Sequence, residues 1–370
     1  MRAMTKRRVL AFLKNQEDGS SYYRLYQYLR DKPCRLVNMT PTWVYRLYYG
    51  RQYGHAGRLL LKLLMGALSF GTTLSAIALD MLFEKSEVVI LNRRFFPRVC
   101  PPFLARALQS YLRRKTLYWD FDDNIAADGE LSQAEKRILE QCASCITATS
   151  DYLKDSLSAE AAAKTEILPT TDAAFWNLNV GQLLAEKQMD SALIRLLWLG
   201  TRDNLVYLKA LIPALDAAAG KLRQEKRLRL LLEVVSNAPL RAETAHLYVK
   251  NIKWSRAEGE AALRRAVIGL MPLKETVYTL GKGGFKAIQY MSAGVVPILS
   301  PVGYNRHVIE DGISGFFAAD SEDFAAKVSA LAENPAALPK MARAARARYE
   351  SHFSPERIQN FWSQVIGERE

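Results

Sequence analysis

The chain has 370 residues, of which 49% are hydrophobic and 24% charged, so the composition excludes a disordered protein and fits two domains of ordinary size. The net charge of +13 comes from residues 1–115, which hold 21 Lys and Arg against 6 Asp and Glu. Four cysteines are too few for a disulfide framework, and Cys142-x-x-Cys145 lacks the further ligands of a zinc site. These features predict a protein of the reducing cytoplasm with no bound metal.

The basic first part of the chain predicts a polyanionic partner. Its aromatic residues alternate with arginines: Trp43, Tyr45, Tyr48, Tyr49 and Tyr53 with Arg46, Arg51 and Arg58. Such a mixture suits the headgroup layer of an anionic membrane, single-stranded nucleic acid, or simply a solvated basic face. Because the sequence contains no helix-turn-helix, zinc-finger or RNP-type motif, we expect an anionic membrane surface and no nucleic acid.

A long apolar stretch lies within this basic part. Residues 59–83 contain only two charged residues, Lys62 and Asp80, and approach the length of a membrane-spanning helix. Interspersed Ser, Thr and Gly residues weaken that interpretation. They favour a helix that is either buried or lies in the membrane interface.

Apolar runs typical of strands alternate with helical patterns along the whole chain. The predicted strands are 9–13, 35–39, 88–91, 116–119, 145–149, 165–168, 195–199, 227–234, 249–253, 267–270 and 295–299. The clearest predicted helices between them are 22–29, 132–141, 206–222 and 286–292. This alternation predicts two α/β domains with doubly wound parallel sheets, separated by a polar linker over residues 177–190. We place the domains at 1–178 and 179–352, followed by a C-terminal helix within 353–370 that packs back on the first domain.

A glycine-rich loop in the second half is the clearest candidate site. Gly281, Lys282, Gly283 and Gly284 precede a helix that contains Lys286. Glycines allow a ligand to approach the backbone, and the positive end of the helix dipole adds to the lysine charges. The loop therefore predicts a phosphate site, although it matches neither the Walker A nor the G-x-G-x-x-G spacing.

Two loops of the first half follow predicted strands and carry further candidates. Asp120, Asp122 and Asp123 cluster after one strand, where they suit substrate hydroxyls, a D-x-D metal site or a helix cap. Gly19 and Ser20 follow the first strand and suit either a ligand or a capped helix start. We favour the substrate-hydroxyl interpretation for Asp122 and Asp123.

Several motifs resemble those of the retaining family-4 (group 1) glycosyltransferases. They are SSYYRL (20–25), YWDFDDN (118–124), ITATSDYL (146–153), ILPTTD (167–172), LLWLGTRDNLVYL (196–208), MPL (271–273), GKGGFKAIQYMSAGVVPILSPVG (281–303) and NRHVIEDGISGFF (305–317). The resemblance implies a GT-B fold, in which two Rossmann-like doubly wound parallel-sheet domains face an interdomain cleft. It also implies hexosyl transfer from a UDP- or GDP-sugar with retention, without a further cofactor or an obligatory metal.

The same resemblance implies roles for individual residues. Lys286 would neutralise the departing diphosphate as a catalytic residue, together with Asp122 and Asp123. The remaining donor-binding candidates are Gly19, Ser20, Gly200, Thr201, Arg202, Lys282, Gly283, Gly284, Gln289, Gly303 and Asn305. Many family members carry a ribose-binding glutamate at position 289, so the sequence alone predicts that Gln289→Glu is tolerated.

The function predicted from the sequence is glycosyl transfer to a surface-polysaccharide or lipid-linked glycan acceptor. We expect the protein in the cytoplasm, associated peripherally with the inner face of the membrane. The alternative is a non-catalytic relative that binds a glycan or acts as a scaffold, and Gln289 is the feature that raises it.

Overall fold

The computed structural model describes residues 7–50, 53–187 and 192–367. Arg51 and residues 188–190 of the predicted linker lie outside these ranges. The chain forms two compact units: the first comprises Met1–Thr170, Gly281–Gly283 and Glu356–Glu370, and the second comprises Thr171–Leu280 and Gly284–Pro355. The domain boundaries stated above stay a prediction.

The first unit is built on a six-stranded parallel sheet. Its strands are β1 (Val9–Leu13), β2 (Arg35–Asn38), β3 (Val88–Asn92), β4 (Thr116–Phe121), β5 (Ala143–Ala148) and β6 (Thr165–Ile167). They lie in the order β2-β1-β3-β4-β5-β6. Every residue of β1 and β3 is buried, which explains why residues 9–13 and 88–91 are continuous apolar runs in the sequence.

Helices cover both faces of this sheet. They are α1 (Gly19–Ser21), α2 (Gln27–Leu29), α3 (Thr42–Gly50), α4 (His55–Leu79), α5 (Pro102–Leu112), α6 (Gln133–Cys142), α7 (Asp151–Asp155) and α8 (Ala159–Ala163). π-helical turns over Tyr22–Tyr26 and Asp80–Glu84 follow α1 and α4. Leu10 and Phe12 of β1 belong to one apolar core, and Val9 and Leu13 belong to the core on the other face.

The second unit repeats this architecture. Its strands are β7 (Leu193–Leu199), β8 (Arg229–Ser236), β9 (Tyr248–Lys253), β10 (Ile268–Met271), β11 (Val296–Leu299) and β12 (Phe316–Phe317), in the order β12-β11-β10-β7-β8-β9. All pairings are parallel. Leu196 and Trp198 of β7 face one core, and Leu197 and Leu199 face the other.

The helices of the second unit also lie on both faces of its sheet. They are α9 (Val180–Glu186), α10 (Leu205–Lys226), α11 (Arg256–Arg265), α12 (Val277–Leu280), α13 (Phe285–Ser292), α14 (Asn305–Val308), α15 (Ser321–Glu333) and α16 (Ala337–His352), with a 3₁₀ turn at Arg202–Asn204. The last helix, α17 (Pro355–Ile366), contributes Ile358, Trp362 and Val365 to the core of the first unit around Val9 and Leu13.

The predicted fold class is confirmed, because each unit has one doubly wound parallel sheet. All eleven predicted strands are present, and the sequence missed only the two-residue β12 among the strands that the structure describes. For residues 59–83 the buried alternative is wrong. The segment His55–Glu84 has the length and mean hydropathy (1.5) of a membrane-crossing helix, and 17% of its apolar window is buried.

Candidate active site

In the first unit, the loops that follow β1 and β4 meet at the carboxyl edge of the sheet. The Ser20 hydroxyl donates a hydrogen bond to Asp122 Oδ1 (2.7 Å), so two of the predicted site residues lie together. Gly19 opens α1, and the preceding residue, Asp18, caps this helix by accepting from the Ser21 N–H. Parallel strands bring these loops together because all their carboxyl ends lie at one edge.

Arg93, which follows β3, holds the two predicted catalytic carboxylates. Its Nη1 donates to Asp122 Oδ1 (2.9 Å) and Asp123 Oδ2 (3.0 Å), and its Nη2 donates to Glu130 Oε2 (2.8 Å). The Arg93 backbone is left-handed, with φ of 67°. A non-glycine residue in this region costs about 1–3 kcal/mol, and such strain is concentrated at functional sites.

The environment of Asp122 raises the pKa of its carboxyl group toward neutral pH. Burial and the neighbouring Asp123 carboxylate raise the pKa of Asp122 to about 6, whereas the cations Arg93 and Arg24 and the hydrogen bond from Ser20 oppose the shift. A carboxyl group that titrates near working pH can hold or release a proton during a reaction.

Asp120 does not join the other two aspartates, although it lies in the same sequence cluster. Its buried carboxylate accepts hydrogen bonds from Arg24, from Asn92 Nδ2 (3.0 Å) and from Thr147 Oγ1 (2.6 Å). Asp120 therefore links β4 to β3, to β5 and to the helical segment after β1, which is a structural role. Among the described residues, no group of three or more His, Cys, Asp or Glu side chains is placed to bind a metal ion.

In the second unit, α13 begins directly after the glycine-rich loop. Gly284 is the N-cap residue of α13 with φ of 68°, and a Cβ atom added there would lie 2.5 Å from Val308 Cγ2. Only glycine fits this conformation and this contact. Gly284 provides no side-chain cap to α13, and the positive end of a helix dipole favours an anion at this position. Gly283 belongs to the first unit, where an added Cβ would lie 2.6 Å from Thr149 Cβ.

Lys286 and Gln289 lie on the same side of α13. The half-buried Lys286 places its ammonium 3.4 Å from Gln289 Oε1 and 5.0 Å from the centre of the Phe285 ring. Gln289 is buried, and its Nε2 donates to Asp172 Oδ2 (2.8 Å). The structure therefore groups a lysine, an amide and a carboxylate at the start of one helix. Lys282, in the loop before it, is also half-buried.

The loop after β7 carries the candidates Gly200, Thr201 and Arg202. A Cβ on Gly200 would lie 2.3 Å from the Trp198 ring, so this ring leaves room only for glycine. The Arg202 N–H donates to Asn237 Oδ1 (2.7 Å), which fixes the backbone and leaves Arg202 exposed.

Gly303 and Asn305 shape the loop after β11. Gly303 has φ of 53°, and a Cβ there would lie 2.9 Å from the Leu280 carbonyl oxygen. The Asn305 Nδ2 donates to the Ser300 carbonyl oxygen (3.0 Å), whereas its buried Oδ1 has no hydrogen-bond partner among the described residues. That oxygen lies 3.4 Å from the position of a Cβ on Gly284, next to the start of α13.

Comparison with known proteins gives a family match for part of this chain. Residues 194–334 match the family model for Glycosyl transferases group 1. This chain is a glycosyltransferase. No curated protein matches the sequence of this glycosyltransferase.

Solved structures confirm the GT-B fold. The glycosyltransferase is similar to HepE from Anabaena in complex with UDP and glucose, with a TM-score of 0.61 and 11% identity over 97% of this chain and 99% of HepE. A glycosyltransferase from Rickettsia africae has a TM-score of 0.61 and 12% identity over 99% of this chain and 100% of its own. Sucrose-phosphate synthase from Thermosynechococcus elongatus has a TM-score of 0.60 and 16% identity over 97% and 98%.

The sequence of this glycosyltransferase did not predict two residues of the candidate site, Arg93 and Asp172. Arg93 lies directly after a predicted strand, and this position alone could have indicated it. Asp172 ends the motif ILPTTD, but nothing in the sequence places it beside Gln289, which is 117 residues away.

Proposed function

We propose that this glycosyltransferase moves a hexosyl group from a UDP- or GDP-sugar to a surface-polysaccharide or lipid-linked glycan acceptor, with retention of configuration. The observation that carries the proposal is the start of α13, where the positive end of a helix whose N-cap residue is glycine lies beside Lys286 and Gln289. Helix N–H groups and an ammonium suit a diphosphate, and an adjacent amide suits hydroxyl groups. HepE, which shares the fold, is solved with UDP and glucose.

The reaction requires charge neutralisation, because a nucleoside diphosphate departs as an anion. We assign this task to Lys286 and the first N–H groups of α13, supported by Lys282 and Arg202. Preorganised donors of this kind stabilise the charge that develops in the transition state. We assign Ser20, Asp122 and Asp123 to substrate hydroxyls, since Asp122 has a pKa of about 6 and can accept a proton near neutral pH.

A thermal-shift screen against UDP, GDP, ADP and CMP tests donor binding, because a ligand that binds the folded state raises the melting temperature. We expect UDP or GDP to raise it more than ADP or CMP does. Hydrolysis of the matching nucleotide-sugar then tests catalysis. Binding without any turnover would favour the non-catalytic alternative, and no shift with any nucleotide would contradict the proposal.

We further propose that the protein acts at the inner face of the membrane, with α4 lying in the interface. Large apolar side chains on α4 and the turn after it are exposed, including Leu60 (68%), Leu63 (64%) and Phe83 (73%). Large contiguous apolar patches on a protein surface mark interaction surfaces. Arg58, Lys62 and Lys85 are exposed on the same segment and complement anionic headgroups.

The packing of α4 favours an in-plane helix over a spanning one. Ala76 and Ile77 belong to the core of the first unit, and the Ser69 hydroxyl lies 2.7 Å from that of Thr40. The buried Asp80, which follows α4, accepts from Lys115 Nζ (2.6 Å) and the Tyr111 hydroxyl (2.9 Å). A helix that crossed the bilayer would lose these contacts.

A further inference from the structure

Asp172 is a buried carboxylate that the proposed mechanism does not use. Only 3% of its surface is exposed, and both of its carboxylate oxygens accept from N–H groups. The Ala174 N–H donates to Oδ1 (3.0 Å), and Gln289 Nε2 donates to Oδ2 (2.8 Å). Because both oxygens act as acceptors, these contacts match the ionised form.

The segment around Asp172 is held firmly in the second unit. The Tyr349 hydroxyl donates to the Asp172 carbonyl oxygen (2.7 Å). Arg346, also on α16, donates to the carbonyl oxygens of Phe175 and Trp176 (both 3.0 Å). The Asp172 carboxylate is therefore a fixed partner for Gln289.

This partner determines which way the Gln289 amide points. A glutamine side chain presents an acceptor on one side and a donor on the other. Because Nε2 faces Asp172, Oε1 must face the opposite side, where the Lys286 ammonium lies 3.4 Å away. The opposite orientation would place amide hydrogens against this cation and an oxygen against a carboxylate.

We propose that Asp172 is a positioning residue for donor binding: it fixes the Gln289 amide so that its oxygen faces Lys286 and the hydroxyls of a bound nucleoside diphosphate sugar. This inference rests on the proposed function and concerns the same site. The negative charge that a glutamate would bring to position 289 is carried by residue 172 instead. Asp172 and Gln289 therefore form a matched carboxylate–amide pair.

The pairing reverses the prediction from the sequence alone that Gln289→Glu is tolerated. In Gln289→Glu two carboxylates would meet at hydrogen-bond distance, and like charges so close disfavour double ionisation. In Asp172→Asn the Ala174 N–H still holds Oδ1, so the new amide turns its nitrogen toward Gln289. Gln289 must then reverse and present its own N–H groups to Lys286.

The double variant exchanges the two groups and restores the match. With Asp172→Asn and Gln289→Glu combined, residue 172 donates and residue 289 accepts. We expect each single variant to raise the Kd for UDP or GDP, whichever the wild type binds, by about tenfold or more, as for other mismatched buried polar groups. We expect the Kd of the double variant to lie within about threefold of the wild-type Kd.

The pH dependence of nucleotide binding separates positioning from a purely structural role. The charged or titratable groups around Asp172 are Lys286 on α13, Arg256 and Glu260 on α11, and Tyr349 on α16. We expect binding by Gln289→Glu to recover as pH falls, because protonation of one carboxyl group restores a donor–acceptor pair. The wild type and the double variant should not show this recovery.

The measurement is nucleotide titration of all four proteins by calorimetry, with the melting temperature as a folding control. If Gln289→Glu does not fold, the double variant should nevertheless fold and bind. Wild-type affinity in both single variants, or a double variant as weak as the singles, would overturn the role of Asp172. A wild type that binds none of the nucleotides would overturn the proposed function itself.

Discussion

Arg24 and Asp120 form an ion pair that is completely buried in the first unit. The side chain of Arg24 is 1% exposed and that of Asp120 is 0% exposed, and Arg24 Nε lies 3.1 and 3.2 Å from the two carboxylate oxygens. Arg24 also donates to the carbonyl oxygen of Leu168, directly after β6. The pair thus links the helical segment after β1 to β4 and to the end of β6. These elements support the carboxyl edge of the sheet, where Ser20 and Asp122 meet.

Loss of either partner should destabilise the fold. We expect Arg24→Ala or Asp120→Ala to lower the free energy of unfolding by about 3–5 kcal/mol, because the remaining charge is left buried without its partner. Urea unfolding followed by circular dichroism measures the change. Arg8→Ala is the control, since Arg8 and Glu87 lie 3.9 Å apart and are both more than half exposed. Equal midpoints for Arg24→Ala and Arg8→Ala would contradict the prediction.

The sequence predicted most of the strands because they are apolar runs, and it placed Ser20 and Asp122 in loops that follow two of them. The hydrogen bond between Ser20 and Asp122 is known only from the structure. It favoured Asp122 and Asp123 as site residues, but it gave no partner for Asp120, and only the structure shows that Asp120 meets Arg24. Arg93 and Asp172 depend on contacts between distant segments, which a single sequence does not record. For α4 the sequence left a buried and an interfacial helix as alternatives, because apolar composition alone does not distinguish a buried helix from an exposed one.

Lys286→Ala should lower turnover strongly and leave the fold intact. If Lys286 neutralises the departing diphosphate, its loss should reduce kcat roughly a hundred- to a thousandfold, as for other single electrostatic contacts in the transition state. Lys282→Ala should have a smaller effect, because Lys282 precedes the helix in a glycine-rich stretch. Steady-state turnover of the nucleotide-sugar measures both, with the melting temperature as the folding control.

Lys253→Ala is the matched control for these lysine variants. Lys253 is exposed at the end of β9, which is an edge strand of the sheet in the second unit. We expect this variant to keep wild-type kcat. Turnover of Lys286→Ala equal to that of Lys253→Ala would mean that the start of α13 does not bind the diphosphate.

The activity should fall as the pH drops below about 6. Asp122 has its pKa raised to about 6, so its carboxyl group is mainly ionised at pH 7 and becomes protonated as the pH falls through that value. Protonation weakens its bond to Arg93 and removes its capacity to accept a proton. The profile of kcat/KM between pH 5 and pH 8 measures this loss. Asp122→Asn should lower activity and abolish the acidic limb of this pH profile. Asp155→Asn, which changes an exposed residue, should keep the acidic limb.

Membrane binding should depend on the exposed leucines of α4. We expect Leu60→Asp with Leu63→Asp to abolish binding to anionic vesicles, because two carboxylates on the uncovered face oppose both apolar insertion and attraction to anionic lipid. Flotation with vesicles of phosphatidylserine and phosphatidylcholine at low and high salt measures the effect. For the unchanged protein, binding should weaken at high salt, because each basic residue near the surface contributes about 1 kcal/mol that salt screens.

The matched control for the leucine variants is Val206→Asp on α10. Val206 is 63% exposed, close to the 64% of Leu63, but it lies in the second unit. A general loss of vesicle binding caused by added negative charge would appear in this variant too, whereas insertion through α4 would leave it bound. Neutral phosphatidylcholine vesicles should bind the unchanged protein more weakly than anionic ones, since the basic residues then lack a partner. Equal, negligible binding of the unchanged protein to both kinds of vesicle would remove the membrane proposal.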